Sequence, residues 1–147
     1  MTNLGLERAT TIVDAALTEG RRLKLAPLAV AVLDAGGHLV AFKREDRAGI
    51  LRFDIAYGKA WSSLGMGFGT RELAERAARS PTFVTVLASV AQGRLAPSPG
   101  GVLIGDEAGE ILGAVGISGD QGDQDEACAL TGVRAAGLIP HPGRPGS

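Results

Sequence analysis

The sequence predicts an α+β domain, an antiparallel sheet with helices packed on it. Three observations carry that prediction. Two pairs of short apolar runs are each joined by a glycine turn, at Asp34-Ala-Gly-Gly37 and Asp106-Glu-Ala-Gly109, which reads as two hairpins. Around and between them lie stretches with apolar residues at three- and four-residue spacing, the pattern of helices with one buried face. The chain also has 22 glycines in 147 residues, well above the ordinary ~7% share, and they stand singly or in pairs between apolar runs, as turns and close backbone approaches require.

Taken in order, residues 4–25 carry Leu6, Ala9, Val13, Ala16, Leu17 and Gly20 on one face and Arg8, Glu19, Arg21 and Arg22 on the other, an amphipathic helix that Pro27 stops. Leu28 to Leu33 is a continuous apolar run, so this strand is expected to be buried on both faces. His38 to Lys43 returns from it. A charged loop, Arg44 to Gly49, leads to a second helix from Ile50 to about Phe68, ended by Gly65, Gly67 and Gly69. Thr70 is the expected cap of a third helix, with Glu72 and Glu75 early and Arg76 and Arg79 late, as the helix dipole favours. Pro81 breaks it, and the apolar stretch Phe83 to Val90 fits either state. After Pro97-Ser-Pro-Gly-Gly101 come strands at Val102–Gly105 and Glu110–Ser118. Asp123 opens a last helix with Ala127, Leu130, Val133 and Leu138 inward. Residues 1–139 are expected to form one domain, and Pro140 to Ser147 a flexible Pro/Gly-rich tail.

Composition narrows the function. Fifteen basic against sixteen acidic residues leave a net charge of −1, no field for a polyanion, so nucleic acid is not an expected partner. The single Cys128 excludes an internal disulfide and a multi-cysteine zinc site, and reads as a small buried side chain. Glu7, Arg8, Asp14 and Glu19 interrupt any signal-peptide core, and no run approaches the ~20 apolar residues of a membrane span. The expectation is a soluble, cytoplasmic protein with no membrane partner.

Several residues offer chemistry. Asp34 suits the turn it occupies, and with His38 makes an acid/base pair or leaves His38 to ligate a metal. Arg44, Asp46, Asp54 and Lys59 are dense charges near a sheet edge. Asp54 and Lys59 lie about 140° apart on a helix and do not form a direct pair. Lys59 lies among Ala56, Ala60 and Trp61, which either bury its stem and depress its pKa, as in a lysine base, or carry it along their surface to solvent. Phe53, Tyr57 and Trp61 form an i, i+4, i+8 stripe, which is either core or a flat wall for a planar ligand. Ser118-Gly119 ends a strand without the nucleophile-elbow pattern, leaving backbone N–H groups for a carboxylate. Asp120, Asp123, Asp125 and Glu126 lack calcium-loop spacing and read as helix-start acids. No metal cluster is expected.

The stretches Val32-Leu-Asp-Ala-Gly-Gly-His-Leu39, Ala56-Tyr-Gly-Lys-Ala60, Pro99-Gly-Gly-Val102, Gly113-Ala-Val-Gly-Ile-Ser-Gly119 and Gln124-Asp-Glu126 stand in this order over about residues 4–138. Together they resemble the GlcG/HbpS-like family, known as a heme-binding or heme-degrading domain and as the accessory domain of a corrinoid adenosyltransferase. The resemblance implies a profilin-like fold, assembly into dimers or rings, and heme in some members. Arg44-Glu-Asp-Arg-Ala48 departs from the family's Arg-Met-Asp-Gly-Ala, adding charge and losing a methionine.

Three functions follow, the last of them a purely structural oligomer subunit that stabilises a partner enzyme. The first is a small-ligand-binding module whose ligand is heme or another planar acidic molecule, held between the second helix and the strand ends by Arg44, Asp54, Tyr57, Trp61, Gly100, Gly101, Ser118 and Gly119. His38 is the axial candidate, because His141 falls in the tail. The second is a cofactor-independent acid/base isomerase or lyase on a small oxygenated or aromatic acid, with Lys59, His38 and Asp46 catalytic and Arg44 holding a carboxylate. Two histidines and two methionines are few for heme, and the charged loop favours a small polar ligand.

Overall fold

The computed structural model describes residues 3–146. Five strands run along the chain as β1 (Ala29–Asp34), β2 (Leu39–Arg44), β3 (Gly101–Gly105), β4 (Ile111–Ser118) and β5 (Ile139–His141). They form one antiparallel sheet in the order β2-β1-β4-β3-β5. The helices are α1 (Leu6–Arg22), α2 (Arg52–Met66), α3 (Thr70–Arg79), α4 (Pro81–Val90) and α5 (Gly122–Ala135). The expected α+β class with an antiparallel sheet and packed helices is the one observed.

Alternation along the strands builds two unlike faces. Val30, Val32, Val102, Ile104, Val115 and Ile117 point to α1 and α5, where Ile12, Val13, Ala16, Cys128, Ala129 and Val133 complete the main core. On the opposite face Ala29, Ala31, Leu33, Leu103 and Ala114 meet Ala56 and Ala60 of α2. Because both faces are covered, β1 reads as the unbroken apolar run seen in the sequence.

The α2 face consists largely of alanine and glycine, and that composition sets how closely the helix lies. A Cβ on Gly116 would stand 1.9 Å from the Ala56 carbonyl oxygen, and one on Gly101 2.4 Å from that of Lys59. No side chain fits between α2 and this part of the sheet.

Local differences from the expected elements have identifiable causes. Gly69, not Thr70, is the cap of α3. Thr70 is instead buried, its hydroxyl oxygen accepting the Gly101 N–H at 2.8 Å and tying α3 to the start of β3. Pro81 ends α3 and also opens α4 as its first residue, since a missing N–H costs nothing at that position. α4 settles the undecided stretch as helix. Gln121 rather than Asp123 precedes the first turn of α5. The chain past 139, expected as a tail, lies on the domain: β5 pairs with β3, the Gly69 N–H donates to Gly143 O at 3.0 Å, and Arg144 lies over the Phe68 ring. Composition suggested flexibility there, but β3 has a free edge that Ile139–His141 fills.

Among the described residues no helix is long and apolar enough to cross a membrane. Burial pushes the Cys128 thiol up to about 12, so it packs as an inert side chain.

Candidate functional site

The two ends of β1 carry different chemistry. At the Asp34 end, the hairpin turn folds around one carboxylate. Asp34 Oδ1 accepts the backbone N–H groups of Gly36 and His38, both at 3.0 Å, and lies 3.2 Å from His38 Nδ1. Burial alone would raise the Asp34 pKa, but those backbone bonds and the imidazole hold it below the usual carboxylate range. A carboxylate can only accept, so Nδ1 is the donor in this contact, and Nε2 is left without a bond among the described residues. The His38 side chain is 80% exposed.

Trp61 packs beneath this turn. Its indole lies 3.8 Å from a Cβ position on Gly37, and the Arg94 guanidinium stacks on its ring at 3.8 Å. Ser62 holds the segment that carries Arg94, donating to Arg94 O at 3.0 Å and accepting the Ala96 N–H at 3.0 Å. On from Trp61 opens an apolar cavity of about 170 Å³ between α2 and α4, lined by Met66, Leu87, Val90 and Leu95 among others. Beside it Phe83, Val86 and Val90 of α4 stand exposed.

The Ala29 end is polar. Lys59, 2% exposed, donates to Ile117 O at 2.7 Å and pairs with the buried Asp125 at 3.2 Å. Burial lowers the pKa of Lys59 and raises that of Asp125, each against the attraction of its partner. Gly100, at φ +129°, leaves room for this ammonium, because a Cβ there would stand 2.7 Å from Lys59 Nζ. Arg52, the first residue of α2, donates to the Ser118 hydroxyl at 3.0 Å. Across Ala29 from Ser118, Arg44 donates to Ala48 O at 2.9 Å. A cleft of about 430 Å³ lined by Arg21, Pro27, Arg44, Glu45 and Asp46 opens at this end.

The residues singled out from sequence therefore divide. Lys59, Gly100, Gly101 and Ser118 come together, and their contacts fill the space between α2 and the strand ends. Gly119 abuts Pro27, whose carbonyl oxygen would lie 2.3 Å from an added Cβ. Arg44 and Asp46 share the open cleft, and Asp54 is exposed on α2. His38 and Trp61 both lie at the far end, His38 beside Asp34 and Trp61 against Gly37 of the same turn. Tyr57 and Phe53 form an aromatic row with Phe42, whose ring meets that of Phe53 edge-on at 4.9 Å. Sequence reasoning missed Arg52, Met66 and Arg94, which have no motif, and read Asp125 as a helix-start acid. The signal for Asp125 was a lysine on an alanine-rich helix face, which once buried demands a carboxylate.

Known proteins share this fold. In Citrobacter freundii, the corrinoid adenosyltransferase PduO is 28% identical over 139 residues, covering 95% of this chain and 41% of its own length. The chain thus spans about two fifths of that relative. A crystal structure of a PduOC:heme complex superposes with a TM-score of 0.84 at 27% identity, covering 95% of this chain and 99% of that one. A double mutant of Streptomyces reticuli HbpS superposes with a TM-score of 0.79 at 30% identity, covering 91% and 87%. The sequence model described as haem degrading protein HbpS-like matches residues 4–134, nearly all of the folded chain, and on that match this protein belongs to the HbpS-like family.

Proposed function

We propose that the protein binds a planar acidic ligand, with heme the first candidate, at the Asp34 end of β1. The observation that carries this reading is the exposed Asp34–His38 pair on the turn that Trp61 packs against. The residues present fit the group. His38 Nε2 would be the ligand for the iron, Arg94 would meet a propionate, and Trp61, Met66, Leu87 and Val90 would give the ring edge an apolar bed. The cavity is smaller than the roughly 300–1,000 Å³ of ordinary ligand pockets, so it takes one edge of a flat molecule and leaves the rest across the surface. Heme bound here supplies a redox-active iron. Asp34 keeps the Nδ1 proton in place, Trp61 excludes water from one face, and Arg94 offsets the ligand's negative charge. The heme complex among the structural neighbours and the family's description support the reading.

Hemin titration tests it. Trp61, the only tryptophan, is expected to be quenched near equimolar hemin with a shifted Soret band, and His38→Ala is expected to lose that band while keeping the fold. A full Soret band in His38→Ala removes His38 from the reading. Unchanged Trp61 emission with both hemin and small aromatic acids removes this end of the molecule from it.

The same reading includes self-association. Phe83, Val86 and Val90 expose apolar surface on α4 beside the cavity, and β2 leaves a sheet edge unpaired. Sedimentation velocity at micromolar concentration is expected to show a species larger than the monomer. A stable monomer there would end this part of the proposal.

A further inference from the structure

We infer that Ser62 is a positioning residue for the proposed planar-ligand site, holding Arg94 on Trp61 with its Nη groups free for a ligand carboxylate. The inference rests on that reading of the site and adds what sets a preference for an acid. Gly58 and Ser62 stand one turn apart on α2 and present one row to the chain that follows α4. That chain leaves α4 through Gln92 and Gly93, both left-handed at φ +55° and +80°. It then lies so near α2 that a Cβ on Gly58 would stand 3.1 Å from Arg94 O. Ser62, 1% exposed, uses its hydroxyl twice, donating to Arg94 O and accepting the Ala96 N–H, each at 3.0 Å. Among the described residues these are the only hydrogen bonds from residues 94–96 to α2 or the sheet. The segment's others stay within its own turns.

Arg94 is therefore oriented from three sides. Ser62 holds its backbone, its Nε donates to Ala91 O at 2.9 Å, and its guanidinium carbon lies 3.8 Å from the centre of the Trp61 ring. These contacts use Nε and one face of the plane, and both Nη groups are without a partner among the described residues. Because no buried side-chain nitrogen there lacks a bond, the Nη groups reach solvent. Among the described residues no carboxylate is within ion-pair reach of Arg94, whereas Arg21, Arg22, Arg71 and Arg76 each have one. Two free Nη groups in a fixed plane form the fork that a carboxylate takes. Trp61 also lines the apolar cavity between α2 and α4, so a ligand edge in that cavity brings an acid arm to Arg94. Ordering the arginine before the ligand arrives lowers the entropic cost of the ion pair. A neutral analogue of the same shape gains the cavity and loses the fork.

The test uses the full chain with hemin and with its dimethyl ester, which keeps ring and iron and removes both carboxylates. The wild type is expected to bind hemin about tenfold more tightly than the ester, and Arg94→Gln to bind the two alike. Ser62→Ala is expected to lose most of that preference while keeping the wild-type affinity for the ester. In the ligand-free protein the Arg94 Nε–H resonance, shifted by the Trp61 ring, is expected to move toward an ordinary arginine value in Ser62→Ala. If Ser62→Ala does not fold, Gly58→Ala displaces the same segment through Arg94 O and is expected to give both changes. A folded variant that keeps either the preference or the Arg94 signal overturns the inference. Equal binding of hemin and ester by the wild type overturns it too, and leaves the planar-ligand reading standing. A wild type that binds neither ends that reading and this one together.

Discussion

Replacing Asp125 by alanine is expected to lower stability by about 3–5 kcal/mol. The substitution leaves the Lys59 ammonium in a place that is 2% exposed, with Ile117 O as its remaining partner, and also strips the acceptor from the Asp120 N–H at 3.0 Å. Lys59→Met removes the other half, leaves the Asp125 carboxylate buried, and is expected to cost a similar amount. The double variant Lys59→Met, Asp125→Ala is expected to recover part of the loss. The pKa directions support that asymmetry. With Lys59 lowered, the unfolded chain binds the proton more tightly, so this group contributes a cost at neutral pH that disappears only above its unfolded value of about 10.4. With Asp125 raised, the folded chain binds the proton more tightly, so its stabilising contribution is full below about pH 3.9 and is lost as pH rises through the folded value. Both groups therefore cost stability as solvated ions forced indoors, and removing both relieves both costs. The recovery is incomplete because Ile117 O and the Asp120 N–H lose their partners, each worth about 1–3 kcal/mol when buried and unsatisfied. Urea unfolding of the four proteins measures the cycle. Single losses below about 1 kcal/mol would mean that water reaches Lys59.

Gly116→Ala is expected to be as damaging as the loss of an ion-pair partner, although it adds one methyl group. Its Cβ would meet Ala56 O at 1.9 Å and Ala60 N at 2.7 Å, both backbone atoms of α2. Flexible side chains can turn away from such a clash, but a helix backbone moves only as a whole. Overpacking ordinarily costs about 1–3 kcal/mol, and a clash with backbone on a rigid helix belongs at or above the top of that range. Urea unfolding is expected to show a loss of about 3 kcal/mol or more. Gly109→Ala, at an exposed turn with φ +85°, is the comparison, because its cost is conformational and on the order of 1 kcal/mol. Equal losses at the two positions would show that α2 rides further from the sheet than described.

The order of helices and hairpins was legible because each signal is local. The Asp34–Gly37 and Asp106–Gly109 turns fix where strands reverse, and the double-sided burial of β1 follows from an apolar run too short and too valine-rich for a helix. α4 was illegible for the opposite reason: Phe83 to Val90 is apolar without periodicity, since only Val84 of that helix is buried and no opposing face demands a stripe. β5 was hidden because Pro140, Pro142 and Pro145 dominate the composition, while its pairing depends on an edge of β3 far away in sequence. At the sites, residues with a motif were found and residues placed by topology were not. His38 stands beside its turn in sequence, whereas Arg94 reaches Trp61 only because Ser62 holds the segment after α4 against α2. Of the two environments open to Lys59 the structure has the buried one, which lowers its pKa, but its carboxylate lies 66 residues on and the spacing gave no hint of the pair.

The two sheet edges differ in what they permit. The β5 edge is three residues long with Pro140, which has no N–H to give, at its middle. The β2 edge runs for six residues from Leu39 to Arg44 with no proline. A further strand therefore finds a continuous ladder of donors and acceptors on one side of the molecule only. Were a second copy to add through that side about a two-fold axis, the edge of each would be consumed and a β5 would stand at both flanks of the sheet. A chain with two equally good edges would carry a route to open-ended fibres. This one closes that route with a three-residue strand and a proline.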